Sequence, residues 1–492
     1  MNREKFKSLA KEHNIIPVYE IITADLLTPV SAYLKIRKKG NFSFLLESVE
    51  GIGRLARYSF IGHSPTKTIM ADKSNVIVKN ANSEEKTSGN ILDFLNDEIN
   101  TFNHPIIDDL PDFTGGLVGY LGFEVISEIE DTITFTNKKE EQFPKAIFGF
   151  FDSIIAFDHY KHRIILITNV VTKNSPNLDM LYNEAKSKIK ELKLLLQQPI
   201  GLLERFTLVD ETHNQIIKEN FIQKIEKIKN NIYEGDIFQL VLSERFSSQY
   251  NGDLLNVYRA LRIINPSPYM YIFEFENNLS IIGTSPEDLL KVKGKKATIL
   301  PIAGTRKRGK NEEEDIALEK ELLNDEKEIA EHTMLVDLAR NDLGRVCKYN
   351  TVKVTEKMNI HRFSHVMHIV SKVEGELEKD KNCIDALKAS FPAGTVSGAP
   401  KVRAIQLIEE YEEISRGPYA GSVGYIDFNG NLDMCIAIRT LFADKKNIYW
   451  QAGAGIVADS IAKLELKEIK NKAAVLENAL KFAEVIDENL GN

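Results

Sequence analysis

Cysteine is scarce in this chain: three residues of 492, at 347, 383 and 435, with no C-x-x-C spacing. So sparse and odd a set argues against a disulfide framework and a zinc site, and fits a reducing compartment, the cytoplasm. Long apolar runs are lacking too. None approaches the roughly 20 residues that span a bilayer, and the opening MNREKFKSLAKEHN has no apolar signal core, so neither export nor membrane insertion is expected. Nor is there a basic surplus: 63 Lys and Arg stand against 71 Asp and Glu, a formal charge of -8, and no basic run interleaves with aromatics. Nucleic acid is thereby set aside as a partner. Internal repeats and low-complexity tracts are also missing, which excludes solenoids and propellers.

What is present is enough apolar material, 43% of residues, for one large core or two ordinary ones. From about residue 15 to 170 short β-branched and aromatic runs separated by Gly, Asn and Asp predict strands: 42–49, 58–62, 74–80, 146–160 and 163–171. A helix is expected over 180–198, ended by Pro199 and Gly201, and a soft boundary falls near 200–215. The second half opens on an amphipathic helix over 220–235, then strands over 236–246 and 268–275. SPEDLLKV (285–292) has Ser285, Pro286 and Asp288 as a helix-start signature. A long helix is expected from about Glu312 to Arg345 and another from about Ser460 to Glu488. The pattern predicts one α+β protein with interleaved layers rather than a βαβ array.

Several groups stand out chemically. Glu328 and Glu331 share a helix stripe with Leu335 and Leu338, and Glu465 and Glu468 share one with Ile461 and Val475. Unpaired buried carboxylates are costly, and a hard dication such as Mg2+ offsets that cost; solvated surface pairs are the ordinary alternative. In FPAGTVSGAPKV (391–402), Gly394, Thr395, Ser397 and Gly398 lead into Pro400 and a helix, which is either an anion-binding start or a tight, well-capped loop. It misses the phosphate-loop spacing. QAGAGIVADS (451–460) is weak by itself and reads as a turn after a strand. His368 lies in an apolar strand with His365 on the opposite face, and a satisfied core histidine is the commoner case. Arg439, in the apolar run MCIAIRTLF, needs a partner, for which a bidentate carboxylate is natural. Together these suggest a pocket for a small polyanion with a divalent metal.

As whole strings, EHTMLVDLARNDLGRV, FSHVMHIVSKVEGEL, GTVSGAPKVRAIQLIEE, GPYAGSVGY and QAGAGIVADS, with LLES (45–48) and GGLVGYLGFE (115–124), resemble the chorismate-utilising enzymes, specifically their anthranilate synthase component I branch. The resemblance covers nearly the whole chain. It implies an α+β fold of layered β-sheets with surrounding helices: a chorismate-binding catalytic domain over 214–488 and a smaller, interleaved N-terminal domain over 15–200. It implies Mg2+ on Glu331 and Glu468, with Glu328 and Glu465 beside them, and chorismate carboxylates among Gly304, Thr305, Tyr419, Arg439, Gly453, Ala454 and Gly455. Thr395 and His368 would line the same pocket, His368 as an acid/base, and Glu287 would be the acid that helps the C4 hydroxyl leave. The reaction implied adds ammonia at C2, expels that hydroxyl, eliminates pyruvate and yields anthranilate.

Relatives differ at two positions. Aminodeoxychorismate synthases carry a nucleophilic Lys where Ala303 stands in PIAGT, and isochorismate and salicylate synthases a Lys where Gln239 stands in DIFQLVLS, to activate water. Ala303 and Gln239 therefore point to ammonia. The resemblance further implies a glutamine amidotransferase subunit as partner, in a heterotetramer, and L-tryptophan as inhibitor at Ser48, Pro268, Tyr269 and Met270, in a pocket between the domains and away from the active site. One departure touches the metal's surroundings: Ala462 and Ile469 replace the family's usual Pro and Thr near Glu468. Other readings are an aminodeoxyisochorismate synthase lacking the lyase step, and a silent tryptophan-binding regulatory subunit.

Overall fold

Alternation of apolar side chains at period two puts one face of each run into a core, and the expected strands form. The structure is a computed structural model describing residues 1–48, 57–72, 74–136, 143–173, 177–210, 213–214, 218–362 and 366–487. Ser43–Glu47, Tyr58–His63, Asn75–Asn80 and Arg163–Val171 are strands. The run 146–160 is two strands, not one: Ala146–Phe151 and Ser153–Asp158 lie in different sheets, and Asp152 is the step between them.

Among the described residues the strands build two large sheets, of thirteen and twelve strands. Each sheet mixes both halves of the chain. Ser43–Glu47 pairs with Tyr269–Glu274 in the first, and Gly116–Leu121 with Ser422–Asp427 in the second, both antiparallel. The halves therefore interleave through shared hydrogen-bonded ladders. Between the layers lies an aromatic core in which Phe44 and Phe273 from one sheet meet Phe151 beside the other; Phe44 and Phe151 stand edge to face at 4.7 Å. Burial of each such ring stabilises the pair of layers by about 1.5–3 kcal/mol.

Long helices pack on both layers. Ala462–Glu484 lies along the strand Asn447–Ile456 of the first sheet, and Glu326–Gly344 lies on Ile302–Lys307 and Val366–Glu376 of the second. The expected long helix from Glu312 is broken in two, Glu312–Leu323 and Glu326–Gly344. Asp325 causes the break, because its carboxylate caps the backbone N–H groups of Lys327 and Glu328 and starts a new helix there.

SPEDLLKV is not a helix. The Ser285 hydroxyl caps a turn, accepting from Glu287 N at 3.3 Å, and Asp288–Lys293 is a strand paired with Leu432–Ile436 and Lys296–Ile299. Leu290 and Val292 are buried between these neighbours while Lys293 is exposed, and this two-sided packing overrides the capping signature.

Candidate functional site

The site is built where strands change sheets. Ser280–Ser285 belongs to the first sheet and Asp288–Lys293 to the second, so Pro286 and Glu287 form the step between layers. Beside it, Leu432–Ile436 of the second sheet steps back to Thr440–Ala443 of the first through Ala437–Arg439. The two steps are stitched together: Ile436 N donates to Glu287 O and Thr284 N to Arg439 O, each at 3.1 Å. Arg439 is thus not inside a strand, as its apolar neighbours suggested. It sits at φ 51°, a region that non-glycine residues avoid and that surrounding structure must enforce.

These steps open onto a cavity of about 600 Å³. Glu287, Thr395, His368, Thr305, Tyr419 and Arg439 line it, with Gly453 and Gly455 from the first sheet, Glu331 from one helix and Glu465 and Glu468 from the other. Ala303 and Gln239 face it as well. A larger cavity of about 870 Å³, walled by Phe42, Glu124, Arg245 and Phe275, takes none of the candidate catalytic, substrate, metal or tryptophan residues named from the sequence.

Some expectations move. QAGAG is part of the strand Asn447–Ile456, not a turn, and its glycines are there for clearance. A Cβ at Gly455 would come within 2.4 Å of the Gln239 amide, and one at Gly453 within 2.9 Å of the Tyr419 hydroxyl. Strand alternation turns Ala454 the other way, into the core, where it is fully buried. Gly304 contributes backbone rather than surface: its carbonyl accepts from His368 Nδ1 at 2.9 Å. Glu328 leaves the cavity wall and pairs with Arg306 at 3.3 Å. The helix Lys401–Tyr411 does not aim its start at the cavity; only Thr395 and Val396 of that segment reach it, because Gly398 and Ala399 are held by the strand containing Gln239 and Leu240. His365 lies outside the described residues.

The electrostatics assign roles. Glu287 has its carboxyl pushed up by burial and by Glu331, against the pull of a hydrogen bond donated by Thr395 Oγ1 at 3.0 Å and of Lys472 and Arg439. It is suited to hold a proton. Burial pushes His368 down, with Arg439 adding to the effect, so the imidazole stays neutral. Because the Gly304 carbonyl can only accept, Nδ1 carries the proton, which makes Nε2 the basic nitrogen. Thr305 Oγ1 lies 3.1 Å from the same Nδ1. No carboxylate among the described residues forms an ion pair with Arg439; its Nη1 donates instead to Lys472 O at 3.1 Å, and a buried guanidinium so placed is ready for an anionic ligand.

Glu331 faces the water of the cavity yet is hemmed in by protein, and burial followed by Glu328 and Glu468 pushes its carboxyl up. Glu465 is pushed up by burial too, with Glu468 adding to the effect, although the Ser460 hydroxyl opposes it. Glu468 pairs with Lys472 at 2.7 Å. Two helices therefore crowd acidic groups so that Glu331 and Glu465 hold protons more tightly, which is the situation a divalent cation relieves. Among the described residues no three ligating side chains come together to cage an ion; Mg2+ ordinarily takes one or two carboxylates and completes its shell with water and substrate oxygens, so the donor set fits. Ile469 is fully buried in the core and supplies no polar support to Glu468.

Two cavity lysines escaped the sequence reading. Lys472 donates to Gly453 O at 2.9 Å, and Lys327 lies on the wall with Glu331. Each stands four residues from a cavity glutamate, Glu468 and Glu331, and that helical spacing was the signal to follow. Of the residues expected to hold tryptophan, Pro268 borders this same cavity, Met270 is buried opposite Glu47, and the Tyr269 hydroxyl donates to Asp433 at 2.9 Å. The Ser48 hydroxyl is buried with no hydrogen-bond partner among the described residues.

Comparisons with known proteins bear on this geometry. A family model described as chorismate binding enzyme matches residues 43–478. Anthranilate synthase component 1 of Acetivibrio thermocellus is 44% identical over 492 residues, covering 98% of each chain. The crystal structure of anthranilate synthase component I from Streptococcus pneumoniae TIGR4 superposes with a TM-score of 0.77 at 36% identity, covering 92% of this chain and 98% of that one. The menaquinone-specific isochorismate synthase MenF of Escherichia coli shares the fold, with a TM-score of 0.71 at 19% identity over 97% of this chain and all of that one.

Proposed function

The chain belongs to the chorismate-binding enzymes, and from that premise we propose that it is the chorismate-converting component of an anthranilate synthase, the large subunit of the first step of tryptophan biosynthesis. The observation that carries the choice within the family is the pair Ala303 and Gln239, both on the cavity wall. Neither can serve as a nucleophile, and neither can deprotonate water at neutral pH. Ammonia is left to attack C2, delivered from glutamine by a partner amidotransferase component.

In this reading Arg439, Tyr419, Thr305 and the strand backbone at Gly453–Gly455 hold chorismate's carboxylates, and Glu331 and Glu468, flanked by Glu465, hold Mg2+. The metal when bound supplies positive charge against a substrate carboxylate. As the nitrogen–C2 bond forms and both conjugated ring double bonds shift by one position, Glu287 donates its proton to the C4 hydroxyl, which leaves as water. Arg439 holds the substrate's charge in place while this happens. In the second stage His368 Nε2 removes the C2 proton, the C3–oxygen bond breaks so that the ring becomes aromatic, and the departing enolate takes up a proton at its methylene carbon to become pyruvate. Thr395 holds the Glu287 carboxyl in position through its hydrogen bond. The test is anthranilate fluorescence from purified protein with chorismate, Mg2+ and ammonium at alkaline pH. Anthranilate formed only with Mg2+ supports the assignment, and chorismate consumed without anthranilate overturns the lyase step.

Residues 214–488 are proposed as the catalytic domain and 15–200 as an N-terminal domain whose Ser48, together with Pro268, Tyr269 and Met270 of the catalytic domain, forms a tryptophan-binding regulatory site. The Ser48 hydroxyl, buried without a partner among the described residues, supports this, since such a group is costly unless a ligand satisfies it. Ser48→Phe should require about tenfold more tryptophan for half-inhibition, and inhibition unchanged in that variant would count against the site.

A further inference from the structure

Charge in the cavity does not close on the groups that hold substrate and metal alone. Glu331, Glu465 and Glu468 bring three carboxylates to the wall, and Arg439 and Lys472 bring two cations. Chorismate adds two carboxylates, and a divalent ion adds two positive charges. One negative charge is left over on a wall whose Lys327, Glu331 and Glu468 are open to solvent, so these charges act on one another across the water-filled cavity. The Glu287 carboxyl, which holds a proton in the proposed mechanism, does not alter the count, and Glu328 is already matched by Arg306 at 3.3 Å. Lys327 is the remaining cation on the wall. It stands one helical turn before Glu331, two residues past the Asp325 cap that fixes the start of the helix, and its charge acts on both Glu331 and Glu465.

We propose that Lys327 makes metal binding depend on substrate: it repels the dication in the substrate-free site, and the second carboxylate of chorismate cancels that repulsion. This rests on the reading of the cavity as a metal-dependent chorismate site. In the free protein Lys327, Lys472 and Arg439 already match the three glutamates, so a dication arriving alone leaves the wall two charges positive. With both substrate carboxylates present the same dication brings the enclosure to neutrality. Metal and substrate thus favour one another, and the coupling is reciprocal.

Calorimetric titration of Mg2+ into ammonia-free protein, with and without chorismate, tests this. In Lys327→Met the substrate-free affinity for Mg2+ should rise about tenfold, the effect of removing one nearby charge in a water-filled cavity. The enhancement that chorismate gives to Mg2+ binding should shrink by a similar factor, and Lys327→Arg should restore both wild-type values. Unchanged or weaker Mg2+ binding by a Lys327→Met protein of normal Tm overturns the inference. If that variant does not fold, Lys327→Arg decides alone, since a loss of coupling there sinks the charge argument. Wild-type protein that binds no Mg2+ even with chorismate present brings down the metal reading itself, an outcome distinct from the failure of Lys327.

Discussion

The chain steps between its two sheets in each half, and the two regions have opposite fates. At Asp152, between Ala146–Phe151 and Ser153–Asp158, the crossing side chain turns outward and pairs with Lys188 at 2.8 Å, while its backbone carbonyl accepts from Asn169 Nδ2 at 3.1 Å. At Glu287 and Arg439 the crossing side chains turn inward to a cavity that two helices close. The backbone manoeuvre is similar, and the first crossing is structural while the second carries chemistry. What separates them is which side chains the step presents, and to what; the fold by itself does not say.

Substitutions can break that contrast. Glu287→Gln keeps the shape of the inward step and removes its proton, and kcat should fall by about two to four orders of magnitude with Tm little changed, checked by anthranilate fluorescence and thermal melting. Gly455→Ala pushes a methyl toward the Gln239 amide, 2.4 Å away, and should raise KM for chorismate about tenfold without altering the melting curve much. Thr395→Val sharpens the contrast through pH. The Thr395 hydrogen bond stabilises the ionised form of Glu287, so losing it raises that carboxyl's pKa further. A general acid fails as pH rises through its pKa, and the alkaline limb of kcat, corrected for the fraction of free ammonia, should therefore move to higher pH in this variant. A limb that stays put or moves down would argue that Glu287 is not the acid. Asp152→Ala is the smallest expected effect: activity unchanged, and stability lower by about 0–1 kcal/mol because its partner Lys188 is half exposed.

The glutamates show how far the sequence reached. Their spacing on two helices was legible as two acidic stripes, but not that the stripes face one cavity, because helices over a hundred residues apart carry no local record of their packing. The misreading of SPEDLLKV has the same root. Ser-Pro-x-Asp is a sound capping pattern taken alone, and it lost to the burial of Leu290 and Val292 between two strands. Lys327 and Lys472 passed unnoticed because a lysine near a glutamate on a helix is ordinary, and only enclosure makes it informative.

Local chemistry, written in the chain itself, determined the strands, the helices, the lack among the described residues of a helix long and apolar enough to cross a membrane, and the motifs that mark a chorismate-binding enzyme; each depends on residues close in sequence. The pairing of strands from both halves, the left-handed twist at Arg439, the inward turn of Glu287 and the outward turn of Glu328 were decided only in three dimensions. Those features depend on which surfaces exclude water together, and burial is a property of the assembled layers that no short stretch of residues possesses.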